Sequence, residues 1–309
     1  MQTGASTRPF DRVRKRAIEW PTWIALIAMY AGWLAVLANY DVFGAWVCIP
    51  GALVLTFQSS LQHEALHGHP TRNALVNEAL VFLPLGLFFP YRRFKETHLC
   101  HHNDTRLTDP YDDPETWYVA DRDYETLSRP MRFVLRMNNS LAGRITLGPF
   151  LSVFGFTRSD IRSIRSGDRD VIGAWTRHVI GLTVVICILV YVGMPIWLYA
   201  LGMAIPAVSL LSVRVFIEHR AAECPKQRSA IVETGWFWSL LFLNNNLHRV
   251  HHERPAVPWY KLPALWRAER DRFLADNGNY HLSGYGEVAR RWLFKRREPV
   301  VHPLMRRDS

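Results

Sequence analysis

The sequence predicts an all-α integral membrane protein, with about four transmembrane helices, interfacial helices and a cytoplasmic helical cap. Two observations carry this prediction. Four segments of roughly 20 residues are almost free of charge, and about 20 residues of helix cross a bilayer core. The segments between them are rich in Arg, Asp and His, so the mean hydropathy is only −0.05 although 49% of the residues are hydrophobic.

The four apolar segments are approximately residues 20–37, 43–61, 171–192 and 195–217. The short turns within each pair carry no Lys or Arg, whereas the N-terminus, residues 92–169 and the chain after His219 contain many. Basic residues concentrate on the cytoplasmic side of membrane proteins. We therefore expect a multi-pass protein with both termini and the long central loop in the cytoplasm.

This pattern divides the chain into three parts. Residues 1–19 form a basic cytoplasmic segment, residues 20–265 a membrane domain, and residues 266–309 a basic cytoplasmic tail. No apolar stretch with a small-residue cleavage site follows the N-terminus, so the first apolar segment is predicted to be a retained membrane helix. The net charge of +10 is explained by these flanks, and no motif suggests a nucleic-acid partner.

Two shorter segments are predicted to stay at the membrane surface. Residues 74–90 contain Glu78, Pro84 and Pro90, which favour a re-entrant or interfacial hairpin over a crossing. Residues 236–243 (WFWSLLFL) are short and aromatic, which is typical of an interfacial helix. Cysteines show no paired spacing, and Cys48 and Cys187 are expected to be buried as small hydrophobic residues.

Most of the 13 histidines fall into three clusters, which read HEALH, HLCHH and HRVHH and begin at His63, His98 and His248. Residues three and four apart share one face of a helix, so each cluster directs its imidazoles to one point. With His219, which ends the fourth apolar segment, the candidate ligands are His63, His67, His98, His101, His102, His219, His248, His251 and His252. Imidazole suits iron, zinc, copper and nickel, and nine ligands are too many for one ion but fit two.

Other roles are predicted for the remaining histidines and for the acidic residues near the clusters. His178 lies within an apolar segment and is expected to be a hydrogen-bonded packing residue, whereas His281 and His302 are expected at the surface. A ligand imidazole usually donates its second N–H to a carboxylate or an amide oxygen. Candidates for that supporting role are Glu64, His69, Asp104, Asp109, Glu218 and Asn246, together with Asp112, Asp113, Glu115 and Glu253. A solvated charge is the alternative for each acid.

The order and separation of the three clusters resemble those of the membrane fatty acid desaturase superfamily. Glu218-His219-Arg220, Asn246-Leu247-His248 and the sequence PAVPWYKLP at residues 255–263 add to the resemblance, which covers roughly residues 57–265. It implies a di-iron centre bound by the nine histidines, O2 as co-substrate, and a lipid or acyl substrate. It favours an enzyme that introduces a C=C bond, and it leaves open a lipid or fatty acid hydroxylase or a carotenoid ketolase.

Two functions from other protein classes remain open at this point. His63-Glu64-Ala65-Leu66-His67 matches the HExxH motif of zinc peptidases, although such an enzyme needs only one further ligand. A metal-storage or transport protein would need polar residues along the apolar segments, which contain few.

Electrons are expected to come from a separate protein, of the ferredoxin or cytochrome b5 type. The sequence contains no flavin or nicotinamide fingerprint, no iron–sulfur cysteine set and no fused haem domain. Such carriers are commonly acidic, and opposite charge speeds encounter. The predicted docking residues are Arg92, Arg93, Lys95, Arg249, Arg267, Arg270 and Arg272.

Overall fold

Four helical segments are long and apolar enough to span a membrane, which confirms the predicted fold class. The computed structural model describes residues 18–102 and 105–304. Within these residues the spans, called S1 to S4 below, are Trp20–Ala38, Tyr40–Leu66, Arg169–Tyr191 and Ile196–Glu218.

Nearly all the regular structure of the described residues is helical. The α-helices are α1 Trp20–Ala38, α2 Tyr40–Phe43, α3 Cys48–Leu66, α4 Ala74–Leu80, α5 Tyr91–His101, α6 Asp121–Thr126, α7 Arg129–Asn138, α8 Leu141–Thr146, α9 Gly148–Arg165, α10 Arg169–Tyr191, α11 Ile196–Tyr199, α12 Ile205–Glu218, α13 Trp236–Leu241, α14 His248–Glu253, α15 Leu262–Ala268, α16 Arg270–Asp276 and α17 Tyr285–Trp292. Short 3₁₀ turns occupy Gly44–Val47, Pro225–Arg228 and Trp259–Lys261, and a π-turn at Ala200–Ala204 joins α11 to α12. Two short parallel strands, β1 Ile231–Val232 and β2 His281–Leu282, pair Ile231 with His281.

Local sequence signals explain where the spans begin and turn. The Asp168 side chain caps α10 by accepting hydrogen bonds from the backbone N–H groups of Asp170 and Val171. S3 and S4 are joined by a tight turn in which Gly193 adopts a φ of 71°, a conformation that glycine adopts without steric cost. Pro195 directly precedes α11 and restricts the chain to the extended entry into S4.

The spans expose one broad apolar face each. Ile24 and Ile27 on S1, Ile180 and Val190 on S3, and Trp197 on S4 are all exposed. In water such surface would be unfavourable, whereas acyl chains of a bilayer solvate it at no cost.

The outward faces of the spans also correct one prediction about the cysteines. Cys187 is exposed rather than buried, since it lies on the outward side of S3, whereas Cys48 is buried as predicted.

The segment between α4 and α5, called the hairpin loop below, turns back on itself. Its placement as a re-entrant or interfacial hairpin stays a prediction. α4 has seven residues, and the chain then turns back through Val81–Phe89 without regular structure. Every span donates at least one side-chain hydrogen bond to a carbonyl of residues 80–87: Tyr30 to Leu80, Gln58 to Leu83, Tyr199 to Leu85 and His178 to Leu87. Irregular backbone at membrane depth is tolerated where protein groups satisfy it. The contact of His178 confirms its predicted role in packing.

The remaining described elements form a cap at the ends of S2 and S4. Its apolar core includes Ile231, Val250, Leu265 and Phe273, so α16 packs directly against the segment that carries the third histidine cluster. α17 is likewise buried through Tyr285 and Val288. Residues 266–304 therefore contribute to the cap, while the predicted division of the chain at residue 265 stays a prediction.

The described C-terminal end is bound to the loop that follows α5. The N–H of Val119 donates to the carbonyl of Val300 over 2.9 Å, and the N–H of His302 donates to the carbonyl of Val119 over 3.1 Å. His302 is therefore only 3% exposed, and the prediction of a surface residue was wrong. Its Nε2 lies 3.2 Å from the hydroxyl of Thr108, so the imidazole has a polar partner in the interior.

The hydrogen bonds to the hairpin loop lead to a stability prediction. The hydroxyl of Tyr199 donates to the Leu85 carbonyl over 2.9 Å and accepts from the indole N–H of Trp33 over 3.0 Å. Tyr199→Phe leaves both buried partners unsatisfied, which costs about 1–3 kcal/mol for each group. We expect a lower Tm in detergent than for the wild type. Tyr191→Phe is the matched control because Tyr191 is 91% exposed, and an equal Tm for both variants would contradict the prediction.

Candidate metal centre

Four helix ends meet beneath the spans, and together they bring all nine candidate histidines into one place. α3 carries His63 and ends just before His67, and α5 carries the second cluster at its C-terminal end. His219 follows the last residue of α12, and the short helix α14 carries the third cluster. The ring nitrogens form two groups, and those within each group lie within 4.8 Å of one another: His63, His67, His98, His102 and His251 in the first, and His101, His219, His248 and His252 in the second.

In the five-histidine group, ring nitrogens approach one another at hydrogen-bonding distance. His102 Nε2 lies 2.9 Å from His98 Nε2 and 3.1 Å from His251 Nε2. His67 Nε2 is buried and has no hydrogen-bond partner among the residues that the structure describes. Buried polar atoms are otherwise almost always satisfied, so this nitrogen indicates a missing partner.

The four-histidine group is centred on His219. Its Nε2 lies 2.9 Å from the Nε2 atoms of both His101 and His248, and His248 Nε2 lies 3.1 Å from that of His252. One N–H can donate to only one of these neighbours, so hydrogen bonding alone does not satisfy the set.

The opposite nitrogen of several rings is held by an oxygen acceptor. His101 Nδ1 donates to Asp113 over 2.8 Å, and His98 Nδ1 donates to Glu115 over 3.0 Å. His248 Nδ1 donates to the side-chain oxygen of Asn245 over 3.0 Å and lies 3.2 Å from Glu218. Because Nδ1 carries the hydrogen in these rings, the Nε2 lone pairs point into the two groups.

These donors fit two metal ions, one for each group. A metal ion binds imidazole nitrogen at about 2.0–2.1 Å, so nitrogens at right angles around it lie about 3 Å apart. That spacing matches the Nε2 pairs of both groups, and a cation would remove the repulsion between their lone pairs. The assignment of the nine histidines as ligands remains a prediction that these distances support.

Burial keeps most of these imidazoles neutral, the form that binds metal. Burial lowers the pKa of His98, His248, His251 and His252 well below the ordinary value, and the neighbouring rings lower it further. His101 differs. Burial lowers its pKa, but the nearby carboxylates, chiefly Glu115 and Asp113, outweigh that effect and raise the pKa to about 9. A metal ion must displace a proton from this ring.

The predicted supporting residues differ in position. Glu218 lies beside His248, as described above, and Asp113 and Glu115 contact ligand candidates directly. His69 is buried and pairs with Glu19 outside both groups. The other candidates have these contacts: Glu64 accepts from the Trp259 backbone N–H, Asp109 from the backbone of Tyr111 and Asp112, Asn246 donates to the Val232 carbonyl, and Glu253 pairs with Arg272. Asp104 lies outside the described residues.

Sequence reasoning missed Asn245 and assigned two enclosed basic residues to the docking surface. Asn245 stands next to the predicted Asn246 in a run of three asparagines, and only the turn before α14 decides which amide faces the histidines. Arg249 is 2% exposed and pairs with Glu253, so it cannot form part of a docking surface, which corrects that prediction. Arg93 is also mostly enclosed and pairs with Asp160.

Comparison with known proteins agrees with this geometry. The family described as "Fatty acid desaturase" matches residues 43–284, well over half of the chain. A curated protein of Bacillus subtilis (strain 168) named "Fatty acid desaturase" is 25% identical over 216 residues, which are 65% of this chain. The match spans 60% of that relative's own length, which is less than two thirds. The resemblance recognised in the three histidine clusters is thereby confirmed.

The two-group arrangement predicts how metal content responds to substitution. The purified protein should hold about two metal ions per chain, because each group of nitrogens fits one ion. His251→Ala should remove chiefly the ion of the five-histidine group and leave about one. His281→Ala is the control, since His281 pairs with Glu233 away from both groups. Metal analysis by mass spectrometry measures the ratio, and an unchanged ratio in His251→Ala would contradict the assignment.

Proposed function

Because this chain belongs to the fatty acid desaturase family, we propose that it is a membrane oxidoreductase that introduces a C=C bond into a fatty acyl or lipid substrate. The observation that carries the proposal is the pair of imidazole groups with Nε2 spacings of 2.9–3.1 Å. We assign two iron ions to them and O2 as the co-substrate. When bound, the irons supply the oxidising power that removes hydrogen from an unactivated C–H bond.

The chain's own contribution is to orient and enclose the imidazoles. Asp113, Glu115 and Asn245 hold the Nδ1 hydrogens, so the rings cannot rotate away from the centre. His63, His98 and His251 are buried, as are His101, His248 and His252. Phe94 packs 5.6 Å from His98. This enclosure limits the access of water and thereby limits side reactions at the site.

A zinc peptidase finds no support in this geometry. In that class the HExxH glutamate acts as general base beside a single ion held by three protein ligands. Here Glu64 accepts a hydrogen bond from the backbone N–H of Trp259 over 3.2 Å. Nine imidazoles converge, whereas a single zinc ion of that class needs three protein ligands.

Product mass tests the proposed reaction. The chain, expressed in cells that lack it, should yield lipids lighter by two hydrogen atoms per new bond. Products heavier by one oxygen atom would instead identify a hydroxylase of the same family, and oxo products with two fewer hydrogens a ketolase. Lipid mass spectrometry of cells with the wild type and with His251→Ala makes the comparison. An unchanged lipid profile in both would count against a lipid substrate.

We further propose a multi-pass topology with the metal centre on the cytoplasmic side, because the turn at Asn39 carries no Lys or Arg whereas the cap is basic. In a background with the four cysteines replaced by serine, Asn39→Cys should react with an impermeant maleimide from outside. Ser166→Cys, at the exposed end of α9, should react only after the membrane is opened. Labelling of both positions from the same side would refute this topology.

We also propose that electrons arrive from a separate ferredoxin or cytochrome b5 type carrier that docks on the basic cap. Arg267 is the most suitable residue to substitute because it is exposed on α15 and forms no described ion pair. Arg267→Glu should slow turnover with reduced ferredoxin, most at low salt, because the charge complementarity is reversed. Arg158→Glu, on α9, serves as the control for net charge. Equal slowing by both variants would argue against a docking site at α15.

A further inference from the structure

A small cavity adjoins the four-histidine group. Its wall includes His101, His219, Trp117, Arg144, Arg297 and Glu298. The volume is about 50 Å³, which accommodates a few water molecules or one group the size of a carboxylate. Sites that enclose a whole ligand measure about 300–1,000 Å³. This cavity can therefore hold only one end of a substrate.

Arg144 is the unusual member of the wall. It is 3% exposed, its Nε donates to the Asn138 carbonyl over 3.1 Å, and its guanidinium lies 3.9 Å from the centre of the Trp117 ring. Among the described residues no carboxylate forms an ion pair with it. A buried cation without an opposite charge costs several kcal/mol, so an uncompensated Arg144 indicates a missing anion.

The acids around the same cavity are already engaged. Asp113 and Glu115 accept from His101 and His98, as described above. Glu298 lies 3.3 Å from Arg297, and Glu218 lies 3.0 Å from Arg214. Arg297 in addition donates to the Tyr280 hydroxyl and to the carbonyl of His219. Arg144 is therefore the charged side chain of the wall that is left to bind a ligand.

The chain makes specific room for this side chain. A Cβ added at Gly148 would lie 3.0 Å from the Arg144 Cδ, so the glycine at the start of α9 permits the observed position. Arg297 and Glu298, which also line the cavity, lie beyond residues 43–284 that match the family. Part of the wall therefore comes from a segment outside the residues that match the family. In such a segment, substrate preference can differ between relatives.

We propose that Arg144 binds an anionic oxygen group of the substrate, a carboxylate or a phosphate, inside this cavity. The inference rests on the proposed function and names its substrate class. Since His101 and His219 line the same small space, the carbon atoms that react lie within a few bonds of the anionic group. Oxidation then occurs near the polar end of the substrate and not far along an acyl chain.

Ligand-linked stability tests the binding step without reference to turnover. The probes are hexanoate, hexyl phosphate and uncharged methyl hexanoate, added to the metal-loaded full chain in nanodiscs of zwitterionic phosphatidylcholine. A ligand that binds only the folded state raises Tm with concentration. We expect at least one of the two anions to raise Tm and methyl hexanoate to leave it unchanged. The anion with the larger shift identifies carboxylate or phosphate as the recognised group.

Substitutions assign that binding to Arg144. Arg144→Gln should weaken calorimetric binding of the anion by about tenfold or more, because a charged hydrogen bond is lost. Arg144→Lys should retain part of the affinity, and Arg158→Gln, an exposed arginine on α9, should retain all of it. If Arg144→Gln fails to fold, the wild-type comparison of anion with ester and the Arg144→Lys variant still decide the matter.

Three results would overturn the inference: no shift with either anion, an equal shift with methyl hexanoate, or unchanged affinity in Arg144→Gln. A product oxidised far from its anionic group would overturn it as well. Each of these can occur while lipid oxidation by the wild type is intact, which leaves the proposed function standing. Conversely, anion binding through Arg144 without any oxidised product would contradict the proposed function alone.

Discussion

The convergence of nine imidazole nitrogens is the constraint on which the rest of this structure depends. Nitrogens 2.9–3.1 Å apart repel unless a proton or a cation lies between them, and Nε2 in several of these rings carries a lone pair. Four helices must therefore have their histidine-bearing ends close together, with the imidazoles directed at the same place. The positions of S2 and S4, of α5 and of α14 follow from that requirement.

The hairpin loop between α4 and α5 follows from the convergence of the histidines. The first and second histidine clusters must lie on the same side, although an apolar segment separates them. The chain therefore turns back after α4, which leaves irregular backbone packed among the spans. Tyr30, Gln58, His178 and Tyr199, one from each span, donate to its carbonyls. These hydrogen bonds couple the packing of all four spans to the position of the second cluster.

The cap fixes the imidazoles from the opposite side. Asp113 and Glu115 hold two rings of the second cluster, and the strand-like contact between Val119 and Val301 ties their loop to the C-terminal segment. Arg297 in that segment contacts the backbone of His219. The same segment lines the small cavity beside the four-histidine group. One stretch of chain thereby supports ligand geometry and borders the space where we place the polar end of a substrate.

The sequence by itself determined the membrane class, the four spans and the nine histidines, because hydrophobic length and helical spacing are local properties. It also favoured a re-entrant or interfacial hairpin at residues 74–90, since the histidine clusters before and after this segment had to lie on the same side. Only the tertiary structure decided which group each histidine joins, and that Asn245 rather than Asn246 faces them. Likewise, the burial of His302 and the exposure of Cys187 depend on which neighbour covers each residue. Contacts between residues more than 100 positions apart, such as His101 with His219, carry no local signal in a single sequence.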